Sequence, residues 1–210
     1  MRVSAFIDGF NLYHAVDATG MHHLKWLDLR ALCEKFAPRP DYDLRTVYYF
    51  SAYATWRTDA YSRHRAFIRA LKLHGVTPVL GKFKEKDRHC HSCGSAWKDH
   101  EEKETDVNLA LYIVRDAFED TFDRALVISG DSDLAPALRM VRSRFPAKEI
   151  RVIAPVNRAF SMDLVNAAGG VERARKMKLI HLEHSLLPGT IADSAGNVAV
   201  TRPAKYDPPI

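Results

Sequence analysis

RALVISGDSDLAPALRMVRSRF, from Arg124 to Phe145, passes from a strand through a turn into a helix. Arg124 to Ile128 is short and apolar and ends in β-branched residues, as a buried strand does, whereas Leu134 to Phe145 reads as a helix. A strand that runs through a Gly-containing turn into a helix delivers the turn to the carboxyl edge of a parallel sheet, where ligands of α/β folds gather. Asp131 and Asp133 reach that edge together. Capping accounts for one of them, because Asp and Ser are favoured N-caps and Pro136 falls where a missing N–H costs little. A second carboxylate held close raises the pKa of the first unless a cation lies between them.

Two other stretches repeat the arrangement. Val3 to Ile7 is an apolar strand that runs into Asp8-Gly9-Phe10-Asn11, with Asn11 placed to open a helix through Leu12, Tyr13 and Val16. Glu101-Glu102-Lys103-Glu104-Thr105-Asp106 precedes a helix whose apolar residues Val107, Ala110, Leu111, Val114, Ala117 and Phe118 keep helical spacing. Thr105 is the expected N-cap and Asp106 lies in the first turn.

FIDGFNLY (Phe6 to Tyr13), EKETDVNLAL (Glu102 to Leu111) and LVISGDSDLAPALRMVR (Leu126 to Arg142) together resemble the NYN domain, a branch of the PIN-like nuclease superfamily. YFSAY (Tyr49 to Tyr53), LGKFK (Leu80 to Lys84) and NRAFSMDLVNAA (Asn157 to Ala168) extend the likeness over roughly Met1 to Leu182. The resemblance implies a Rossmann-like, three-layer α/β fold with a mostly parallel central sheet. It also implies an acidic cluster that binds Mg2+ or Mn2+ and cuts RNA. Carried over by motif, that cluster is Asp8, Asn11, Asp106, Asp131 and Asp133. Many relatives carry a further acid about two turns into the helix after Asp106; this chain has Tyr112 there.

The chain has 210 residues, 47% of them hydrophobic, enough for one substantial α/β core. The expected division is an NYN/PIN-like domain over 1–184, with a CxxC-containing insertion at 87–102, and a C-terminal tail over 185–210 that could contact a protein partner or a second copy. A formal charge of +5 favours a polyanionic partner. No apolar run is long enough to span a bilayer, and the N-terminus opens straight into a strand without a signal peptide. Three cysteines, two of them close together, do not make a secreted disulfide framework. A cytoplasmic location is the expectation.

Several other features have a bland reading beside a functional one. Arg65, Arg69 and Lys72 lie at helical spacing on the helix expected over Thr58 to His74, as a solvated face or a phosphate track. Lys82, Lys84 and Lys86 follow the strand expected over Val76 to Leu80, on the same edge as the acids if the sheet is parallel, where Lys82 and Lys84 could contact RNA. Tyr53 and Trp56 could stack bases or simply pack. Cys90-His91-Ser92-Cys93-Gly94 has the spacing that lets two thiolates hold one tetrahedral Zn2+, with His100 the best third ligand; a redox pair or solvated thiols are the alternatives. A strand is expected over Lys178 to Leu182. Arg173, Arg175, Lys176 and Lys178 form a basic cluster before it.

The expected function is divalent-metal-dependent hydrolysis of RNA by Asp8, Asp106, Asp131 and Asp133. Asn11 would orient a ligand or phosphate, and Ser129 and Ser132 would fix the carboxylates from behind. The alternatives are a non-catalytic RNA-binding or regulatory module that retains the acidic pocket, and a phosphatase or nucleotide hydrolase on the same scaffold.

Overall fold

A computed structural model describes residues 1–209. Its elements run β1 (Arg2–Asp8), α1 (Gly9–Asp17), α2 (Leu29–Glu34), β2 (Asp43–Ser51), α3 (Thr58–Leu73) and β3 (Thr77–Leu80). Then come β4 (Lys82–His89), β5 (Ala96–Lys103), α4 (Thr105–Phe118), β6 (Arg124–Ile128), α5 (Ala135–Arg144) and β7 (Glu149–Ala154). The chain closes with α6 (Met162–Ala168), β8 (Ala174–Lys176), α7 (Leu179–Glu183), β9 (Thr190–Ala192) and β10 (Val198–Thr201).

Six strands form one parallel sheet in the order β3-β2-β1-β6-β7-β8. The central strands β1 and β6 are buried almost throughout, as strands covered by helices on both faces must be, whereas the edge strands β3 and β8 are partly exposed. Val3, Ala5, Ile7, Val47 and Ile128 face Leu12, Val16, Leu32 and Leu71 of α1, α2 and α3. Phe6, Phe50, Val127 and Val152 face Leu109, Ile113, Leu138 and Leu164 of α4, α5 and α6. The fold is the expected three-layer, Rossmann-like one. From β1 the chain leaves toward β2 and β3, and it returns through β6 on the other side. The carboxyl ends of β1 and β6 are therefore the topological switch point, and Asp8 and Ser129 stand there.

Three segments differ from the reading of the sequence. Lys82 to Lys103 is a regular antiparallel hairpin, β4 with β5, rather than a polar loop confined to 87–102. Lys178 to Leu182 is not a strand: Leu179–Glu183 is the short helix α7, and the edge strand β8 comes from the basic stretch before it. The segment read as a tail folds back as the β9–β10 hairpin. There Ile191, Val200 and Tyr206 are buried with Trp26, Ala70 and Leu187, and Trp26 Nε1 donates to the Pro188 carbonyl at 2.9 Å.

Candidate functional site

Asp8 ends β1 and caps α1. Its Oδ1 accepts from the Asn11 backbone N–H at 2.9 Å, closing the first helical turn. Its Oδ2 accepts from Asn11 Nδ2 at 2.7 Å and from Ser129 Oγ at 2.8 Å. Asn11 Oδ1 in turn accepts from Gly130 N at 3.1 Å, and Ser129 Oγ accepts from Asp131 N at 3.0 Å. Asp131 Oδ1 accepts from Asp133 N at 3.0 Å and caps the turn of 3-10 helix over Ser132–Leu134. Asn11 and Ser129 thus lace the two acidic turns together across the switch point. Gly9 is required at this junction, because a Cβ there would lie 2.4 Å from the Phe50 carbonyl oxygen.

The third acidic stretch arrives by a different route. The β4–β5 hairpin ends at Lys103, and Glu104, rather than the expected Thr105, occupies the N-cap of α4 in a left-handed conformation with φ of 79°. A non-glycine residue held there costs about 1 kcal/mol or more, and such turns recur at functional sites. It lets Glu102 Oε1 accept from Thr105 N at 2.9 Å while Asp106 begins the helix beside it.

Electrostatics record the convergence. Burial first, and then the charges of Asp8, Asp131, Glu102 and Asp133, push the Asp106 carboxyl up to about 6. Burial also raises the Asp8 carboxyl; its bonds from Asn11 and Ser129 oppose that, and Asp131 adds to it. Asp8, Asp131, Asp133 and Glu102 thus all lie within electrostatic reach of Asp106, and Asp131 within reach of Asp8. Glu102 was the member missed: it lies in the quoted motif, but only the hairpin turns it toward Asp106. Ser132 is exposed on the turn, whereas Ser129 is buried. Tyr112, at the position of the relatives' additional acid, packs its ring against Tyr48 and Phe50 at 5.1 and 5.4 Å.

A cleft of about 560 Å³ is lined by Asp8, Asn11, Glu102, Asp106 and Asp131 but not by Asp133. Its walls include Trp56, Phe83 and His100 on one side and Tyr61, His64 and Phe67 of α3 on another. Its cationic lining is Lys25, Arg57 and Arg63. Arg65, Arg69 and Lys72 are exposed on α3 and do not line it, nor do Lys82, which pairs with Glu104, or Lys84. Cys90 and Cys93 sit at the hairpin tip. His100 lies four ladder positions below Ala96, roughly 13 Å along the strand. Its ring stacks on Trp56, so the structure does not gather these three as ligands of one ion.

The NYN domain model matches residues 2–172. The chain belongs to the NYN family. Its fold and its family are those of PIN-like nucleases. A curated relative, the 6-hydroxy-3-succinoylpyridine 3-monooxygenase HspA of Pseudomonas putida, is 29% identical over an alignment of 206 positions, gaps included, that covers 80% of this chain and 65% of the relative. The chain thus spans less than two-thirds of that relative's length. A crystal structure of a protein of unknown function from Vibrio parahaemolyticus superposes with a TM-score of 0.54 at 18% identity, covering 89% of this chain and 96% of that one. That likeness is one of fold. Among the described residues of this NYN chain, no helix is long and apolar enough to cross a membrane.

Among the described residues, no three His, Cys, Asp or Glu side chains stand close enough to ligate an ion as they are. The donor chemistry nevertheless fits a hard divalent cation: the carboxylates are oxygen donors, and their mutual repulsion, recorded at Asp106, is what such a cation relieves.

Proposed function

We propose that this NYN chain hydrolyses phosphodiester bonds of RNA at the acidic cluster with Mg2+ or Mn2+. The observation that carries this is the convergence of Asp8, Glu102, Asp106 and Asp131, from separate elements, on one cleft at the switch point of the sheet; burial and the neighbouring charges raise the Asp106 carboxyl there. Asp8, Asp106, Asp131 and Asp133 would hold the ion, with Glu102 beside them. A bound divalent ion supplies charge neutralisation at the scissile phosphate and an acidified water.

The chain's own groups do the rest. Ser129 and the Asn11 amide fix the Asp8 carboxylate in one orientation, and the Asn11–Gly130 bond holds the second acidic turn at a set distance from the first. Asp106, half-buried, keeps its proton up to a pH of about 6 when no cation is near and is an acceptor-only carboxylate above it. The three thiols are unpaired, which suits the reducing cytoplasm.

Metal-dependent cleavage of RNA that D131N lacks while staying folded is the expected result. Cleavage retained by D131N would overturn the proposal. A non-catalytic RNA-binding role is the second reading, favoured by Tyr112, which spends the additional acid's position on aromatic packing. The pyridine named for the curated relative gives a third, chemistry on a small heteroaromatic acid in the aromatic cleft. Salt-sensitive RNA binding without cleavage would support the second, and turnover of a succinoylpyridine without RNA cleavage the third.

A further inference from the structure

The cleft beside the acids is walled by a continuous run of aromatic rings contributed by three separate segments. Phe10 of α1 meets Phe83 of β4 edge-on at 5.7 Å, Phe83 meets Trp56 at 4.7 Å, and Trp56 lies flat on His100 of β5 at 3.7 Å with 11° between the planes. The run abuts the acidic cluster through the hairpin register: Phe83 pairs directly with Glu102, and His100 and Glu102 share one face of β5 two residues apart. Trp56 remains 38% exposed at the cleft. Tyr61, His64 and Phe67, which follow one another along α3, also line it. Arg57 and Arg63 line the same cleft without an acidic partner among the described residues.

A wall of rings with an exposed indole offers a flat apolar platform, and the flanking guanidiniums offer charge for a phosphate. A cleft of about 560 Å³ holds one nucleotide comfortably. A paired base in a duplex keeps its faces stacked on its neighbours and cannot enter; an unpaired base presents a free face. We propose that the Trp56–His100–Phe83 wall is a stacking site for one unpaired nucleobase of single-stranded RNA, placing the adjoining phosphate at the acidic cluster. The site is a binding feature in its own right and rests on the hydrolytic reading only for what happens to that phosphate.

The test is equilibrium binding in EDTA, so that hydrolysis plays no part. A single-stranded hexanucleotide, the blunt duplex of the same sequence, and AMP and UMP are each titrated against wild type, W56A and W56F. The single strand should bind wild type, W56A should bind it about tenfold more weakly, and W56F should stay within about twofold of wild type, as loss and retention of one stacking platform require. The duplex should bind at least about tenfold more weakly than the strand. Equal binding by W56A, equal binding of duplex and strand, or mononucleotides as tight as the hexanucleotide would each overturn the inference. Cleavage is read separately with Mn2+. Trp56-dependent strand binding without any cleavage leaves the stacking site standing and removes the nuclease reading; cleavage indifferent to W56A does the reverse.

Discussion

Ser129 Oγ donates to Asp8 Oδ2 at 2.8 Å and accepts from Asp131 N at 3.0 Å, so one hydroxyl joins the end of β1 to the acidic turn after β6. Asp8 is only 1% exposed, and its carboxylate is kept from solvent by the partners that orient it. Removing the hydroxyl strands a backbone N–H and takes a donor from a buried carboxylate, a loss of about 1–3 kcal/mol. S129A should therefore lower the unfolding free energy by that amount, read as a lower urea midpoint at an unchanged slope. RNA cleavage should fall as well, because Asp8 and Asp131 lose their shared reference point. An unchanged urea midpoint would mean that the hydroxyl positions nothing.

Asp106 ties stability to pH in the metal-free protein. Its folded-state pKa of about 6 lies above the ordinary 3.8, so the folded chain holds the proton more tightly than the unfolded one. Stability contributed by the protonated form is present at low pH and is lost as pH rises through about 6. In EDTA, D106N should raise the thermal midpoint relative to wild type at pH 8, with the advantage shrinking below pH 6. Adding Mn2+ should stabilise wild type more than D106N. A wild-type midpoint that climbs steadily between pH 5 and 8 relative to D106N would contradict the shift.

Thiol reactivity should divide the cysteines. Hydrogen bonds centred on Ser95 draw the exposed Cys93 thiol down to about 7, while burial pushes the Cys33 thiol far up. Iodoacetamide at neutral pH should alkylate Cys93 in the native protein and leave Cys33 untouched until denaturant is added. Mass mapping reads the result, and early modification of Cys33 would show that its cover opens.

The C-terminal segment should contribute directly to stability. Ending the chain after Leu187 would uncover Trp26 and Ala70 and remove Ile191, Val200 and Tyr206 from their shared cluster. Burying each such side chain is worth about 1.5–3 kcal/mol, so a loss of at least about 3 kcal/mol is expected. A truncated chain with unchanged denaturant midpoint would make this segment the tail that its composition suggests.

The strand-turn-helix units at Asp8 and Asp131 were legible because buried parallel strands are almost wholly apolar and the acids interrupt them abruptly. Asn11 and Ser129 were legible for the same reason, lying one turn from those acids. The β4–β5 hairpin was not. KFKEKDRH and AWKDHEEK carry charge on both faces, and their ladder is stabilised by cross-strand pairs such as Lys98 with Glu85 and Arg88 with Asp99 instead of an apolar face. Glu102 and the Trp56–His100 stack follow from that hairpin, so both stayed hidden with it. Leu179 to Glu183 fails differently: five residues with three apolar ones, Leu179, Ile180 and Leu182, fit a strand or one helical turn equally well, and packing of Leu182 into the core decides. In the C-terminal segment, a few buried residues separated by Pro and Gly give no period at all.

The most direct measurement is cleavage of single-stranded RNA by purified wild type and D131N, each with Mn2+, with Mg2+ and with EDTA. Circular dichroism confirms that the variant is folded. Asp131 is partly exposed and holds its neighbours through one side-chain cap, so Asn should preserve the turn while removing a charge. Cleavage by wild type in Mn2+ or Mg2+, abolished by EDTA and absent from folded D131N, is the predicted result. Equal cleavage by the two proteins, or none by wild type with either metal, would contradict it.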